Sequence, residues 1–406
     1  PALASGTAFF DGPGGSQTPA EVAAAIAGVL RAPLANRGTV NLAARNAEAV
    51  VLDARQAVAD LLGTDPRGVV FGRSMTQLCY DLARTLADGW GPDDEIVVTR
   101  LDHDAHIRPW VQAATRAGAR VRWVDFDPES GELTVEDVVA QLGDRTRLVA
   151  VTGASNLIGT RPPLAEIATR VHAHGALFSV DAVHLAAHAP IDLAAFGADF
   201  LFCSPYKFLG PHCGVLAADP DLLQTLHPDK LAPSSDAVPE RFEYGTLPYE
   251  LLAGVTAAVE VIASLAPPVA AGGASGPEAG VDAAAAGSPR RARIAVAMEA
   301  VEAHEDALRE ELEAGLARLP GTAQRARAAR RTPTLLLTFE HRDPADVAAA
   351  LAAREINAPA GSFYALEASR HLGLADTGGV RIGLAPYSDA GDVERLLGAL
   401  REILAS

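Results

Sequence analysis

The most informative segment of this sequence is Asp199-Phe-Leu-Phe-Cys203-Ser-Pro-Tyr-Lys207-Phe-Leu-Gly-Pro211. Its first part is a continuous apolar run, which is typical of a strand buried on both faces. A loop of Ser, Pro and Gly follows and carries Lys207. Because α/β sheets present functional groups at the carboxyl ends of their strands, the segment predicts an α/β fold with Lys207 at a functional site. An ordinary solvated lysine at a loop mouth is the alternative.

Further apolar runs of the same kind lie between residues 64 and 220, and amphipathic stretches separate them. These runs are residues 68–71, 95–99, 121–124, 148–152, 177–180 and 214–217. The alternation predicts a seven-stranded, mostly parallel sheet with helices on both faces. The last run follows its predecessor through a loop alone, which leaves room for an antiparallel strand there.

The chain has 406 residues, which is more than one hydrophobic core usually serves. We predict a large domain over residues 20–255 and a flexible linker rich in Ala, Gly and Ser over residues 256–289. A smaller α+β domain follows over residues 290–406, and the N-terminal segment 1–19 packs on it. Within the small domain we expect strands at 334–339 and 380–384 between three helices, with Ser288 and Pro289 starting the first helix.

Composition excludes several classes of protein. The sequence is 49% apolar and 21% charged, which excludes wholesale disorder. Its net charge of −17 disfavours nucleic acid as a partner. Three cysteines without a CxxC pair cannot frame a disulfide scaffold, and they fit a reducing compartment. Since no run of about 18 apolar residues occurs, we expect a soluble cytoplasmic protein with no membrane partner.

A second strand end supplies an acid beside Lys207. Ser179-Val-Asp181-Ala-Val-His184 follows the preceding strand, and neighbouring strands lie about 4.8 Å apart. Asp181 and Lys207 can therefore face one crevice. A pyridoxal phosphate (PLP) enzyme needs this pair, because the lysine holds the aldehyde and the carboxylate keeps the ring nitrogen protonated. A helix N-cap is the alternative role for Asp181.

Two more strand ends carry weaker signals. Phe71-Gly-Arg-Ser74-Met75-Thr76 leads from a strand into a helix, which makes a phosphate cradle, although it lacks the GK[ST] of a nucleotide-binding loop. Asp102-His103-Asp104-Ala-His106 follows the strand at 95–99. A metal site here is disfavoured because neighbouring loop positions seldom converge on one ion. A histidine stacked on an aromatic cofactor and a partly buried loop histidine both remain open, and we predict no metal.

Together these motifs resemble the class V aminotransferase group of fold type I PLP-dependent enzymes, most closely its cysteine desulfurase-like branch, over nearly the whole chain. The resemblance implies that Lys207 forms a Schiff base with PLP and that Ser204 binds the phosphate. It implies further that Asp181 pairs with the pyridinium nitrogen, that His103 stacks on the ring, and that His184 lies near the phenolic oxygen.

Other segments extend the resemblance. Asn156, in Ser155-Asn-Leu-Ile-Gly-Thr160, would contact the phenolic oxygen, and Ser74 and Met75 match the phosphate turn. Thr246, in Phe242-Glu-Tyr-Gly-Thr246, matches a threonine that reaches the phosphate of a neighbouring subunit, which implies a homodimer with shared active sites. The resemblance also implies two substrate-binding arginines and one more cofactor contact: Arg381 for the α-carboxylate, Arg37 at the substrate entrance, and Tyr206, which stands where desulfurases usually carry a histidine.

One departure from this branch bears on the reaction. Desulfurases present a cysteine on a mobile loop, whereas the matching stretch here, residues 360–370, has none. Cys79, Cys203 and Cys213 fall on a predicted helix or on strands. We therefore expect a PLP-dependent lyase that cleaves the C–S bond of a small amino acid by β-elimination without a catalytic cysteine. Transamination, epimerisation and binding of PLP without turnover remain open alternatives.

Overall fold

The computed structural model describes residues 1–267 and 289–405. Its strands in chain order are β1 (Ala8–Phe9), β2 (Val69–Gly72), β3 (Glu95–Thr99), β4 (Arg120–Val124), β5 (Thr146–Thr152), β6 (Leu177–Asp181), β7 (Phe200–Cys203), β8 (Gly214–Ala218), β9 (Thr322–Arg325), β10 (Thr334–Phe339), β11 (Ile356–Asn357), β12 (Ala360–Gly361) and β13 (Gly379–Gly383).

The helices pack around these strands. In chain order they are α1 (Ala20–Arg31), α2 (Leu42–Leu62), α3 (Met75–Ala87), α4 (Asp104–Ala117), α5 (Val135–Val139), α6 (Leu164–Ala173), α7 (Leu193–Phe196), α8 (Pro220–Thr225), α9 (Tyr249–Ser264), α10 (Pro289–Leu316), α11 (Pro344–Ala352), α12 (Leu366–His371) and α13 (Ala390–Ala405).

The large sheet has seven strands in the order β2-β8-β7-β6-β5-β3-β4. Strand β8 runs antiparallel to both of its neighbours, and the remaining pairs are parallel. The predicted α/β fold with a mostly parallel seven-stranded sheet is therefore confirmed. The antiparallel strand is the one that follows its predecessor through a loop alone, because a short connection cannot make a parallel crossover.

Alternating side chains of the central strands pack on the two faces of the large sheet. In β5, Val149 and Val151 belong to the cluster on one face, while Leu148 and Ala150 belong to the cluster on the other. Helices α3 and α4 cover the second face, and α2, α6 and α9 cover the first. Both faces are apolar, so these strands are continuous hydrophobic runs, which is why sequence alone located them to within about two residues.

The C-terminal part builds a second core. Strands β12-β13-β10-β9 form an antiparallel sheet, and α11, α13 and the end of α10 contribute to its apolar cluster. Ala8 and Phe10, from the N-terminal segment, are buried in that cluster, and β1 pairs with β11. Helix α10 contributes to both cores, with Ile294 in the first and Leu312 in the second.

The division into domains stays a prediction, and two features bear on its boundaries. Helix α9 continues past residue 255 to Ser264. Of the predicted linker, residues 268–288 lie outside the described residues, as does the predicted N-cap at Ser288, while Pro289 is the first residue of α10. Within the described ranges, no helix combines the length and apolar character needed to cross a membrane.

A buried ion pair ties the N-terminal helices to the sheet. The Arg55 guanidinium on α2 donates to both carboxylate oxygens of Glu243, at 2.9 and 2.8 Å. Glu243 also accepts the backbone N–H of Phe71 on β2 at 2.9 Å. Both side chains of the pair are only 4% exposed. Arg55 also donates to the carbonyl of Val69, so this pair holds the edge strand β2 that leads into α3.

We predict that Glu243→Ala lowers the free energy of unfolding by about 3 kcal/mol, because it removes the bidentate counter-charge of the buried Arg55 cation and leaves it only the longer pair with Glu240 at 3.4 Å. Urea unfolding monitored by circular dichroism measures the change. Asp376→Ala is the control, since it breaks an exposed pair with Arg370 and should move the midpoint little. Equal midpoints for Glu243→Ala and the control would contradict this role of the pair.

Candidate active site

A cavity of about 550 Å³ lies at the carboxyl ends of β5, β6 and β7, against the first turn of α3. It is lined by Ser74, Met75, Thr76, His103, Ala105, Thr152, Ala154, Asn156, Asp181, Val183, His184, Ser204, Tyr206 and Lys207. Of the residues predicted to bind the cofactor, all but Thr246 line this cavity.

Lys207 lies in a short 3-10 turn directly after β7. Its amine donates to the carbonyl of Pro13 in the N-terminal segment and lies 5.0 Å from the ring centroid of Tyr206. Burial, reinforced by the charge of Arg381 and opposed by Asp181, lowers the pKa of Lys207 to about 7. The amine therefore has a large neutral, nucleophilic fraction near neutral pH.

Asp181 ends β6, and the register pairs it with Phe202 of β7. Its Oδ1 accepts the N–H of Val183 at 2.8 Å. Burial raises the pKa of Asp181 to about 6, while His106 and the Val183 bond pull it back. An acid of this kind can stay ionised beside a cation such as a protonated ring nitrogen.

His103 caps α4 and presents its ring to the cavity. Its Nδ1 accepts the N–H of Ala105 at 3.0 Å, so Nδ1 is unprotonated. Burial, together with the charges of Lys207 and Arg381, lowers the pKa of His103 to about 3. The ring is therefore neutral at physiological pH and suited to stacking against another flat ring.

The neighbours of His103 point elsewhere. His106 contacts Asp102 Oδ1 at 2.7 Å through Nδ1 and Ser179 Oγ at 2.8 Å through Nε2, and Asp104 pairs with Arg108. Across residues 1–267 and 289–405, no group of three His, Cys, Asp or Glu side chains has an arrangement that could hold a metal ion.

The start of α3 provides an anion site. Ser74 Oγ accepts the N–H of Gln77 at 3.2 Å, which caps the helix. Helix geometry leaves the first N–H groups without intrahelical acceptors, so those of Met75 and Thr76 are available at the cavity wall. Gly214 is required beside this turn, since a Cβ there would lie 2.1 Å from the carbonyl carbon of Ser74.

His184 and Asn156 form another wall of the cavity. His184 Nε2 contacts the hydroxyls of Thr332 and Thr334 at 3.0 and 2.9 Å. Asn156 Nδ2 donates to the carbonyl of Phe363 at 3.0 Å, and its Oδ1 has no hydrogen-bond partner among the described residues. The Asn156 amide therefore has an acceptor available to a ligand.

Arg381 enters the site from the small sheet, where β13 pairs with β10. It is 2% exposed, and its Nη1 donates to the carbonyl of Asn156 at 3.0 Å. Its guanidinium lies 3.7 Å from the ring centroid of Phe363, and within the described chain its Nε has no partner. Burial lowers the pKa of Arg381 to about 9, and Asp11 opposes that shift. Arg381 therefore has an N–H donor, at Nε, that is available to an anion.

Besides Arg381, which contacts the cavity wall at Asn156, two predicted residues are absent from the lining of the cavity. Thr246 is exposed at a bend before α9. Arg37 is held by Glu48 at 2.9 Å and by Glu240 at 3.0 Å, and these pairs raise its pKa above the usual range. The substrate role of Arg37 stays a prediction.

Sequence reasoning missed three features of this site. Glu305 Oε2, on α10, contacts His188 Nδ1 at 2.8 Å, and the His188 ring packs edge-on against His184 at 4.6 Å. Asp102, His106 and Ser179 form a buried chain behind Asp181. Phe363 and Tyr364 lie beside Arg381 and His103. The missing cysteine at residues 360–370 was the one sequence signal that could have drawn attention to Phe363 and Tyr364.

Comparison with known proteins identifies the family. The family described as Aminotransferase class-V matches residues 8–267 and 285–396, which is more than half of the chain. The chain belongs to this family. Its members are PLP-dependent enzymes, and the cysteine desulfurase-like relatives below place the chain in that part of the family.

Relatives of this class V protein span its whole length. An uncharacterized protein of Mycobacterium tuberculosis (strain CDC 1551 / Oshkosh) is 34% identical over 99% of this chain and 97% of its own. A probable cysteine desulfurase of Mycolicibacterium paratuberculosis is 31% identical over 91% of this chain and 51% of its own, so the chain spans about half the length of that relative.

Solved structures agree with the fold. A cysteine desulfurase from Thermococcus onnurineus NA1, in its apo form, has a TM-score of 0.86 at 24% identity, covering 100% of this chain and 96% of that one, which shows the fold alone. A cysteine desulfurase from Escherichia coli, described with an S-sulfonic acid, has a TM-score of 0.83 at 26% identity over the same shares.

We predict that Lys207 in the cofactor-free protein reacts with an amine reagent such as trinitrobenzenesulfonate with a half-maximal rate near pH 7. The rate should rise as pH increases through the lowered pKa, because only the neutral amine attacks, and level off above it. Lys207 and Lys230 are the two lysines of the sequence, so Lys230→Arg isolates the Lys207 signal. A midpoint near 10 at Lys207 would contradict this prediction.

Proposed function

We propose that this protein is a PLP-dependent lyase that cleaves the C–S bond of a small amino acid by β-elimination without an enzymic thiol. The observation that carries the proposal is the contrast within one site. A reactive lysine and an acid line the cavity, and an arginine suited to a carboxylate contacts its wall at Asn156, whereas all three cysteines of the chain are buried.

The residues present fit PLP. The first turn of α3 would hold the phosphate with the N–H groups of Met75 and Thr76, and Ser204 lines the same cavity. Asp181 would face the pyridine nitrogen, and the neutral ring of His103 would lie against the cofactor ring. The remaining edge of the cofactor would be surrounded by Asn156, His184 and Tyr206. When bound, PLP supplies an electron-withdrawing ring that stabilises negative charge at the Cα of a linked amino acid.

The chain's own groups then have defined tasks. Arg381 binds the substrate α-carboxylate with two parallel N–H donors. Lys207, as a free amine with a lowered pKa, would remove the proton from Cα. Asp181 would hold a proton on the ring nitrogen. The electron pair of the C–H bond becomes the Cα–Cβ double bond while the C–S pair leaves with sulfur, and the released product hydrolyses to pyruvate and ammonia.

The cysteines are poorly suited to accept sulfur. Cys79 lies within α3, Cys203 within β7, and Cys213 just before β8, and all three are buried. Burial raises the pKa of all three thiols, to about 12 for Cys213. A thiolate is the reactive form, so these groups are inert near neutral pH. Their reduced state also fits the cytoplasmic location that we propose.

We further propose a homodimer whose active sites are shared. Thr246 is exposed and absent from the lining of the cavity of its own chain, as a residue that serves a partner's phosphate would be. Several large apolar side chains on and before α2, and one near Thr246, are exposed to solvent in the single chain. We therefore expect a second subunit to cover them: Val40, Leu42, Leu52 and Tyr244.

We predict that the purified protein, reconstituted with PLP and reduced with borohydride, carries the cofactor covalently on Lys207. The strand-end position and lowered pKa of this lysine make it the attacking amine. Peptide mass mapping locates the adduct, and Lys207→Ala is the control that should lose it. An adduct on Lys230, the other lysine of the chain, would overturn the assignment.

We predict that the triple variant Cys79→Ala, Cys203→Ala, Cys213→Ala, once shown to be folded and loaded with PLP, keeps most of its turnover. Elimination needs no enzymic sulfur acceptor, and alanine leaves no polar atom in the buried strand. Pyruvate and ammonia are measured from β-chloroalanine and from S-substituted cysteines. A persulfide trapped on the wild type, or loss of turnover in the loaded variant, would restore a thiol mechanism. Keto-acid exchange or racemised substrate without pyruvate would indicate transamination or epimerisation.

A further inference from the structure

Phe363 and Tyr364, which we call the aromatic wall, occupy the loop between β12 and α12. Both residues have left-handed backbone conformations, with φ of 53° and 58°. Non-glycine residues seldom adopt this conformation, and when two do so in succession the surroundings must hold them there. The conformation of the aromatic wall is therefore imposed by its surroundings.

Hydrogen bonds to two backbone carbonyls hold the aromatic wall against the start of α4 and against Asn156. The carbonyl of Tyr364 accepts the N–H of Asp104 at 2.7 Å, and the carbonyl of Phe363 accepts Asn156 Nδ2 at 3.0 Å. Asp104 directly follows His103, and Asn156 lines the cavity. The loop is thus fastened to the two places that frame the candidate cofactor site.

A carboxylate fastens the far end of the loop. Glu367, in the first turn of α12, accepts from Arg108 at 2.6 Å and from Arg100 at 3.0 Å. Its side chain is 12% exposed, so these pairs are partly shielded from solvent. Glu367 acts through the loop and is a positioning residue.

The two rings of the aromatic wall face different parts of the site. The Phe363 ring lies under the Arg381 guanidinium at 3.7 Å, where it orients the proposed carboxylate binder. The Tyr364 ring is stacked on the His103 ring at 5.6 Å and an interplanar angle of 28°. Tyr364 is nevertheless 74% exposed. The Tyr364 ring therefore presents a large, flat apolar surface to solvent next to the His103 ring, which faces the cavity.

We propose that Tyr364 is a specificity-determining residue that selects cysteine derivatives whose sulfur carries a flat, apolar substituent. The inference rests on the proposed elimination reaction and names its substrate class. With the carboxylate on Arg381 and Cα beside Lys207, the substituent on sulfur extends outward, where it stacks on Tyr364. On elimination the C–S bond breaks, sulfur keeps its pair and its substituent, and the thiolate takes a proton from water at the open mouth.

The test compares S-benzyl-L-cysteine with S-methyl-L-cysteine on the PLP-loaded enzyme, measuring pyruvate release for kcat/KM and the change in cofactor absorbance for Kd. We expect the wild type to prefer the benzyl compound and Tyr364→Ala to lower that preference by roughly tenfold, while Tyr364→Phe keeps it within about twofold. A preference that survives Tyr364→Ala, or is lost in Tyr364→Phe, would overturn the proposal.

Glu367→Gln provides the second variant. It should reduce the same preference through KM, with an increase of severalfold for the benzyl compound and little change in its kcat, because the aromatic wall loosens. Glu402→Gln is the matched control, since that carboxylate is 73% exposed and lies 3.6 Å from Arg354, far along α13. A Glu367→Gln variant that resembles Glu402→Gln in every constant would contradict the positioning role.

β-Chloroalanine separates the two proposals, because it undergoes elimination without any sulfur substituent. If the wild type releases pyruvate from β-chloroalanine but shows no preference for the benzyl compound in either kcat/KM or Kd, the assignment of Tyr364 fails alone. If the loaded enzyme releases no pyruvate from any of the three compounds, the proposed elimination fails.

Discussion

The site is built around an excess of buried positive charge. Burial lowers the pKa of both the Lys207 ammonium and the Arg381 guanidinium, and the charge of Arg381 lowers the pKa of Lys207 further. The free N–H groups at the start of α3 add a positive helix end. Asp181 offsets only part of this charge. A chain with a net charge of −17 therefore keeps a cationic cavity, which an anionic cofactor phosphate and a substrate carboxylate would complete.

The two sheets supply different parts of that cavity. The large sheet carries Lys207 and Asp181 at the ends of adjacent strands, where the hydrogen-bonded register fixes their separation. The small sheet delivers Arg381, whose place in β13 is set by pairing with Leu336 of β10. Contacts such as His371 Nε2 to the carbonyl of Phe126, at 2.7 Å, hold α12 against the segment that follows β4. In the proposed reaction, the electron-accepting chemistry would depend on one sheet, and substrate selection would depend on contacts between the two.

Sequence predicted the parts of the site that follow directly from a periodic element. Lys207 and Asp181 could be placed because they end continuous apolar runs, and two adjacent parallel strands bring such ends together. The chain from Glu305 through His188 to His184 could not be predicted, since it joins residues more than 100 positions apart through side-chain packing alone. Asp102, His106 and Ser179 were missed for the same reason. Strands β11 and β12 have two residues each, too short for any pattern.

The lack of a cysteine on the loop at residues 360–370 is consistent with the contacts that hold this loop in place. A thiolate that accepts sulfur must reach the β-carbon and then carry its cargo outward, so its loop has to move. Here the corresponding loop is held by two hydrogen bonds to its backbone carbonyls, a cation–π contact and the two ion pairs of Glu367. A loop fastened in this way gains nothing from a thiol, but it can hold an aromatic surface at a constant distance from the reacting carbon. Such rigidity suits a reaction in which sulfur leaves together with its substituent, because selection then depends on a surface that is already in place when the substrate binds.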